Sequence, residues 1–229
     1  MRLPVYFKAI LITGALLIGN KSFGQSKGSF IFMNDITGKP IDLRTDMYIN
    51  GNPYFPENYV PSTVYFKGGG RADNIKTKLY LPEHSVLYTL NDSADMVATS
   101  EIERIEYLNT GNNKVQFQLF PAIGDAKVKF KFYQVLDSGK AMFLKLYTSD
   151  YTDKKEFGSA TVTRTYEKQT SLYAYSAAAG ILKLNSKENL ISTIFADKEK
   201  QVNSFIDKND LSLKKEKDLK KVFAYYNSL

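Results

Sequence analysis

The chain has 229 residues, of which 43% are hydrophobic and 14% aromatic, so it has enough apolar surface for a packed core and is not a disordered segment. It contains 16 tyrosines, 15 phenylalanines, one histidine and no cysteine, which excludes disulfides, lipidation of an N-terminal cysteine and thiolate metal sites. The formal net charge is +7, but three of the positive charges lie in residues 1–24, and the charges are mixed along the chain, so we do not expect a nucleic-acid-binding protein.

Residues 1–24 have the three parts of a secretory signal peptide. Basic residues stand near the start, residues 9–18 form an apolar run, and the small residues Ser22 and Gly24 precede Gln25. A membrane-spanning helix needs about 20 apolar residues, so this run is too short for an anchor. We therefore expect cleavage before Gln25 and export to the periplasm, the outer-membrane periphery or the extracellular space. No later apolar run is long enough to span a membrane in the mature chain.

Residues 25–62 are predicted to be irregular, because prolines interrupt them repeatedly. One short strand is expected at residues 46–50. From Thr63 the pattern changes to alternation of apolar and polar residues, which is typical of half-buried strands. Residues 63–180 are therefore predicted to form an antiparallel β-domain, a sandwich, roll or barrel, with Gly68–Gly70 as a hairpin turn. The expected strands are residues 64–66, 75–81, 85–90, 96–99, 102–108, 115–119, 127–132, 141–148, 161–165 and 168–175.

Residues 181–229 are predicted to be a small helical module, because the apolar period changes to about 3.6 near Ser186. Ser186, Asp197 and Ser212 are candidate caps for three helices. Glu216 is expected to pair with Lys220, four residues further along the last helix. Helices this short are marginal alone, so they must pack on each other or on the sheet. The fold class expected is mainly β followed by a small helical part, α+β overall.

Three stretches resemble an uncharacterised group of exported Bacteroidota proteins. They are Gln25–Phe30, the hairpin series around Asn74–Tyr80 and Ser85–Tyr88, and the C-terminal blocks Phe195–Val202 and Tyr225–Leu229. The resemblance implies an envelope or secreted location in a Gram-negative cell. It assigns no activity to any residue.

The residues that common enzyme chemistry requires are scarce in this chain. His84, the single histidine, follows Pro82 and Glu83 and is expected to be an exposed turn residue, although a lone general base is the functional alternative. Two acid clusters, residues 101–106 and residues 150–156, are candidates for paired carboxylates, although such acids are usually solvated. No catalytic residue, cofactor or metal site is predicted.

Two surfaces are candidates for interaction. Lys127, Lys129 and Lys131 would line one face of a strand and form a basic strip, although a solvated sheet face is the simpler interpretation. The apolar stripe of the last helix would dock on a partner or a membrane, or else pack on the protein's own sheet. That stripe consists of Leu219, Val222, Phe223 and Tyr226.

These observations favour a non-enzymatic exported envelope protein with a binding or scaffolding role. The expected partner is an envelope protein or a glycan or lipid ligand. Two alternatives stay open: a carrier of a small apolar ligand in a β-barrel, and a carboxylate-dependent enzyme acting on glycans.

Overall fold

The computed structural model describes residues 36–40, 47–90, 94–108, 114–125, 128–158, 160–185 and 189–229. The predicted signal peptide and the candidate cap Ser186 lie outside the described residues. Within these ranges twelve strands form one sheet. The strands are β1 (Gly38–Pro40), β2 (Met47–Asn50), β3 (Tyr54–Phe66), β4 (Arg71–Tyr80), β5 (Ser85–Leu90), β6 (Ala94–Ala98), β7 (Ile102–Leu108), β8 (Lys114–Pro121), β9 (Phe130–Asp137), β10 (Ala141–Lys155), β11 (Val162–Ser176) and β12 (Gly180–Lys183).

The helical part follows the last strand. A π-helical turn covers Leu190–Ile194 and a 3₁₀ turn covers Ala196–Lys198. Two α-helices come after them, α1 (Glu199–Lys208) and α2 (Glu216–Ser228). The protein is therefore mainly β with a small helical C-terminal part, which confirms the predicted α+β class. Among the described residues, no helix is both long enough and apolar enough to cross a membrane.

The sheet consists of two antiparallel meanders, β3 to β6 and β7 to β12, which join where β3 pairs with β7, and β1 and β2 are added at other places. Its order is β1-β6-β5-β4-β3-β7-β8-β9-β10-β11-β12, and β2 lies beside β11. The β2–β11 pair is parallel, with Met47 opposite Val162, whereas the other described pairs are antiparallel. The sequence pattern predicts antiparallel neighbours only, because it shows no helical crossover.

The strands differ most from the prediction in β3 and in β11. The segment expected to be irregular contains β3, which begins at Tyr54 although Pro56 and Pro61 lie within it. The β3–β4 register shifts between Phe55 and Val60, so Pro56 falls where the ladder is interrupted and no amide donor is needed. The two strands expected at 161–165 and 168–175 are one strand, β11, because every residue from Val162 to Ser176 pairs with β10.

The connection between β6 and β7 forces the sheet to curl. In the sheet order these strands are separated by β5, β4 and β3, which corresponds to about 19 Å in a flat sheet. The link of residues 99–101 spans at most about 14 Å from Ala98 to Ile102. The strands β6 to β9 therefore roll around a common interior rather than lying flat.

Side chains from β3 to β10 pack in this interior. Phe55 lies between two other rings, with centroid distances of 5.0 Å to Phe117 and 4.6 Å to Tyr147. The buried members of this core are Ile36, Val64, Phe66, Ala72, Leu79, Leu81, Val86, Tyr88, Ile102, Ile105, Tyr107, Phe117 and Phe132.

The helices cover the other end of the sheet and share a second core with β10 and β11. The rings of Phe143 on β10 and Phe223 on α2 stack with a centroid distance of 4.9 Å. Leu190, Ile194, Phe195, Val202 and Ile206 complete the packing from the helical side. The helices therefore pack both on each other and on the sheet.

The helix starts differ from the predicted caps. Lys198 and Lys215 occupy the cap positions of α1 and α2, and neither makes a side-chain cap hydrogen bond. The Ser212 amide instead donates to Asp218 Oδ2 at 3.1 Å. The predicted partner of Glu216 is also wrong: Lys145 on β10 donates to Glu216 Oε2 at 2.8 Å, which ties the helix to the sheet.

Asn227 at the end of α2 fastens the β9–β10 turn. Its Oδ1 accepts from the Ala141 amide at 3.0 Å, and its Nδ2 donates to Asp137 Oδ1 at 2.9 Å and to the Ala141 carbonyl at 3.0 Å. A Cβ on Gly139 would approach the Asn227 side chain to 2.5 Å. Glycine at position 139 therefore allows this side chain to dock.

Candidate functional site

A cleft of about 840 Å³ opens where the curled sheet meets itself. It lies between the beginnings of β5 and β9 on one side and the β6–β7 link on the other. Most of its wall is apolar. The lining residues are Lys67, Glu83, His84, Ser85, Val86, Val97, Ala98, Ser100, Glu101, Ile102, Glu103, Leu119, Val128, Lys129, Phe130 and Phe132.

His84 is the polar group in the inner wall of this cleft. It belongs to the predicted turn between β4 and β5, but it is only 6% exposed, so the prediction of an exposed residue is wrong. The curl brings β9 against the turn, and the Phe132 amide donates to His84 Nδ1 at 3.3 Å. Sequence reasoning missed this burial, because it depends on a strand far along the chain.

The hydrogen bond from Phe132 determines which ring nitrogen carries the proton. Because Nδ1 accepts a hydrogen bond, it is unprotonated, and the neutral imidazole carries its hydrogen on Nε2. Nε2 is buried and has no partner among the described residues. Of the described residues that line the cleft, His84 alone has such an unpaired buried side-chain atom.

The surroundings keep this imidazole neutral. Burial, assisted by the positive charge of Lys131, lowers the pKa of His84 to about 4, while Asp125 opposes the shift. At neutral pH the ring is therefore a fixed hydrogen-bond donor rather than a cation. The Ser85 hydroxyl, which also lines the cleft, donates to Glu83 Oε2 at 3.4 Å rather than to this imidazole.

Charges of both signs stand around the cleft. Lys67 Nζ pairs with Glu101 Oε2 at 3.3 Å, and both side chains are exposed. Glu83, Glu103 and Lys129 are exposed lining residues. The rim therefore has no concentration of one charge.

The acids of the first cluster, residues 101–106, lie in two different environments. Glu101 and Glu103 line the cleft, whereas Glu106 is buried and accepts from Arg104 and from the Tyr65 hydroxyl at 3.1 Å. Lys114 lies 3.6 Å from the Glu106 carboxylate as well. Glu106 is therefore neutralised by cations and does not form a carboxylate pair with Glu101 or Glu103.

The second acid cluster lies on the exposed arm formed by the far ends of β10 and β11. Arg164 donates two hydrogen bonds of 2.7 Å to Asp153, and this interaction lowers the pKa of the Asp153 carboxyl. Asp150 and Glu156 are exposed. This cluster has the character of a solvated surface.

Of the predicted basic strip, the structure describes Lys129 and Lys131. Lys127 lies outside the described residues, and β9 begins only at Phe130, after Lys129. Lys131 turns to Asp125, with 2.7 Å between Nζ and Oδ2, because that pairing neutralises a largely buried ammonium group. Lys129 remains an exposed residue at the cleft.

The predicted interaction stripe on the last helix is not a free surface. All four of its residues are buried in the core shared with β10 and β11, because this apolar face is what holds the helix to the sheet. They are Leu219, Val222, Phe223 and Tyr226. The alternative interpretation, packing on the protein's own sheet, is the one observed.

The chain matches no protein-family model, no curated protein and no solved structure.

Proposed function

We propose that the protein is an exported, non-enzymatic binding protein of the cell envelope and that its cleft holds a small, largely apolar ligand. The cleft carries this proposal: it has a volume of about 840 Å³, walls that are apolar over most of their area and one buried polar group without a partner among the described residues. Ligand-binding pockets typically have volumes of roughly 300–1,000 Å³ and combine apolar walls with a few placed polar groups.

Export is supported by the sequence of residues 1–24 and by the resemblance to exported Bacteroidota proteins. A location in the periplasm, at the outer-membrane periphery or outside the cell follows from that expectation. In such a compartment a binding protein meets lipids, glycans and their breakdown products. Of these, the apolar lining favours ligands with hydrocarbon surface.

The environment of the acids favours binding over catalysis. Carboxylate-dependent glycan cleavage needs one protonated acid and a second free carboxylate on either side of the scissile bond. Asp153 is held ionised by Arg164, and Glu106 is occupied by Arg104 and Lys114. Glu101 at the cleft is engaged by Lys67.

The proposal predicts saturable binding of an uncharged fluorescent probe, N-phenyl-1-naphthylamine, by the purified mature protein. Ala98→Phe places a ring in the cleft and should weaken probe binding by about tenfold, a loss of about 1.4 kcal/mol. Ala224→Phe is the matched control, because Ala224 is exposed on α2, away from the cleft lining. Absence of saturable binding, or equal affinity in the two variants, would contradict a cleft-binding function.

Export is tested separately by the mass of the protein recovered from the envelope of the producing cell. A chain that begins at Gln25 is the expected product. Recovery of the full-length chain from the cytoplasm alone would refute export without bearing on the cleft.

A further inference from the structure

We propose that the ligand of the cleft is a neutral amphiphile, an apolar chain or ring system that ends in an uncharged oxygen acceptor such as an ester or amide carbonyl, and that His84 Nε2–H donates to that oxygen. This inference rests on the proposed function and adds the chemistry of the ligand's polar end. It follows from the unpaired donor, the charge around the cleft and the composition of its walls.

Among the described residues, the buried Nε2–H group of His84 is an unpaired hydrogen-bond donor. The two ring nitrogens of His84 have different roles, since Nδ1 already accepts from the Phe132 amide. The hydrogen on Nε2 is buried without a partner among the described residues. A buried donor without an acceptor destabilises the folded state, so a ligand oxygen that accepts from it gains binding energy.

The charge distribution is the second argument, and it excludes a strongly charged head group. An anion would need an excess of positive charge near the donor, but Lys67 is paired with Glu101, and Lys131 is paired with Asp125. The remaining charged lining residues are Glu83, Glu103 and Lys129, so the rim carries no net positive charge. A cation would have to leave water for an apolar wall, and the one unpaired buried group among the described residues there, His84 Nε2–H, is a donor that offers a cation no acceptor.

The wall composition is the third argument. Val86, Ile102, Leu119, Phe130 and Phe132 line the cleft from four different strands. Phe130 is 52% exposed, so a bound apolar chain would remove an exposed ring from water. The body of the ligand is therefore hydrocarbon, and the polar requirement is limited to one acceptor.

The test compares four molecules with the same chain and different ends, in competition with N-phenyl-1-naphthylamine. They are methyl decanoate, decanoate, decylamine and decane. Methyl decanoate should displace the probe at about tenfold lower concentration than decane, because it alone combines the chain with an uncharged acceptor. Equal displacement by methyl decanoate and decane, or strongest displacement by decanoate or decylamine, would overturn the inference.

Two substitutions separate the two ring nitrogens. His84→Asn keeps an acceptor near the Nδ1 position and removes the distal donor, so the preference for the ester over the alkane should disappear. His84→Gln keeps a donor near the Nε2 position, so the preference should persist. A preference unchanged in His84→Asn would overturn the role of Nε2, provided that probe binding shows the variant to be folded.

The single histidine also gives a direct readout, because its ring ¹⁵N signals are free of overlap. Methyl decanoate should shift the Nε2 signal and leave the Nδ1 signal nearly unchanged. Decane has no hydrogen-bond acceptor, so it should leave both signals nearly unchanged. An unchanged Nε2 signal with the ester bound would show that water or the protein satisfies this donor, and the inference would fail.

The experiments distinguish failure of this inference from failure of the proposed function. If Ala98→Phe abolishes probe binding but the four competitors displace the probe equally, the cleft is a binding site. Only the requirement for an oxygen acceptor on the ligand is then refuted. Probe binding that occurs only after removal of residues 25–35 would show that the chain's own segment occupies the cleft. That result would overturn both.

Discussion

His84 couples protonation to folding. Its pKa is about 4 in the folded protein and near 6.5 in an unfolded chain, so the unfolded state binds more protons between these values. The neutral ring makes its full contribution to the free energy of unfolding above about pH 6.5. This contribution is lost as the pH falls to about 4, and the loss is at most about 3 kcal/mol.

We predict that urea unfolding at pH 7 and pH 4.5 will show a larger loss of unfolding free energy for the wild type than for His84→Gln. Both proteins share the same carboxyl groups, so the difference between them isolates the histidine. Parallel losses in the two proteins would mean that His84 is not held neutral by the fold.

Asn227 is a second residue whose role depends on contacts from far along the chain. Asn227→Ala leaves the Ala141 amide and carbonyl without their side-chain partner and should lower the unfolding free energy by about 1–3 kcal/mol. Asn227→Asp should cost more, because a carboxylate would face Asp137. Thermal unfolding measures both variants, and the exposed Ser228→Ala is the control, with an expected change within about 0.5 kcal/mol.

Among the elements, the last helix shows what the sequence pattern contains and what it omits. The period of 3.6 correctly identifies Leu219, Val222, Phe223 and Tyr226 as one face. The pattern cannot say what covers that face, since an amphipathic stripe is the same for a partner and for the protein's own sheet. Strand positions were likewise predictable from alternation, but the ends of β3 and β11 depend on pairing with neighbouring strands.

The site was less predictable than the fold for the same reason. The turn at Glu83 and His84 is visible in the sequence, but the burial of His84 depends on Phe132 and on the curl of the sheet. The apolar wall residues alternate as ordinary core positions do, so nothing in their sequence distinguishes a cleft from a filled interior.

Removing the ring that joins α2 to the sheet should have a large effect. Phe223→Ala should lower the unfolding free energy by about 3–5 kcal/mol, because Phe223 is fully buried against Phe143 and Phe195. Tyr225→Ala is the control on the same helix: its ring stacks on Phe205 at 4.0 Å, and its loss should cost about 1 kcal/mol. Equal losses measured by chemical denaturation would contradict the packing described for this face.

At the scale of the whole molecule, the short β6–β7 link holds the cleft closed at one side. Inserting four Gly-Ser residues between Thr99 and Ser100 allows β6 and β7 to separate. The entropic cost of the longer loop is below about 1 kcal/mol. We therefore expect weaker binding of N-phenyl-1-naphthylamine with unchanged β-sheet circular dichroism.

The same insertion after Phe157 is the matched control, because this residue is fully exposed at the end of the β10–β11 arm. It should leave probe affinity unchanged. Probe affinity that survives the insertion at Thr99 would show that the link does not shape the cleft.

The parallel pairing of β2 with β11 also affects the order in which the strands can pair during synthesis. A chain made from its N-terminus, whether on a ribosome or through a translocation channel, releases β1 and β2 first. Their partners β6 and β11 emerge only later, and β11 comes almost at the end of the sheet. The strand β2 must therefore wait without its partner while the strands between β2 and β11 assemble from neighbouring hairpins. Synthesis of the final third of the chain thus sets the moment at which β2 can join the sheet.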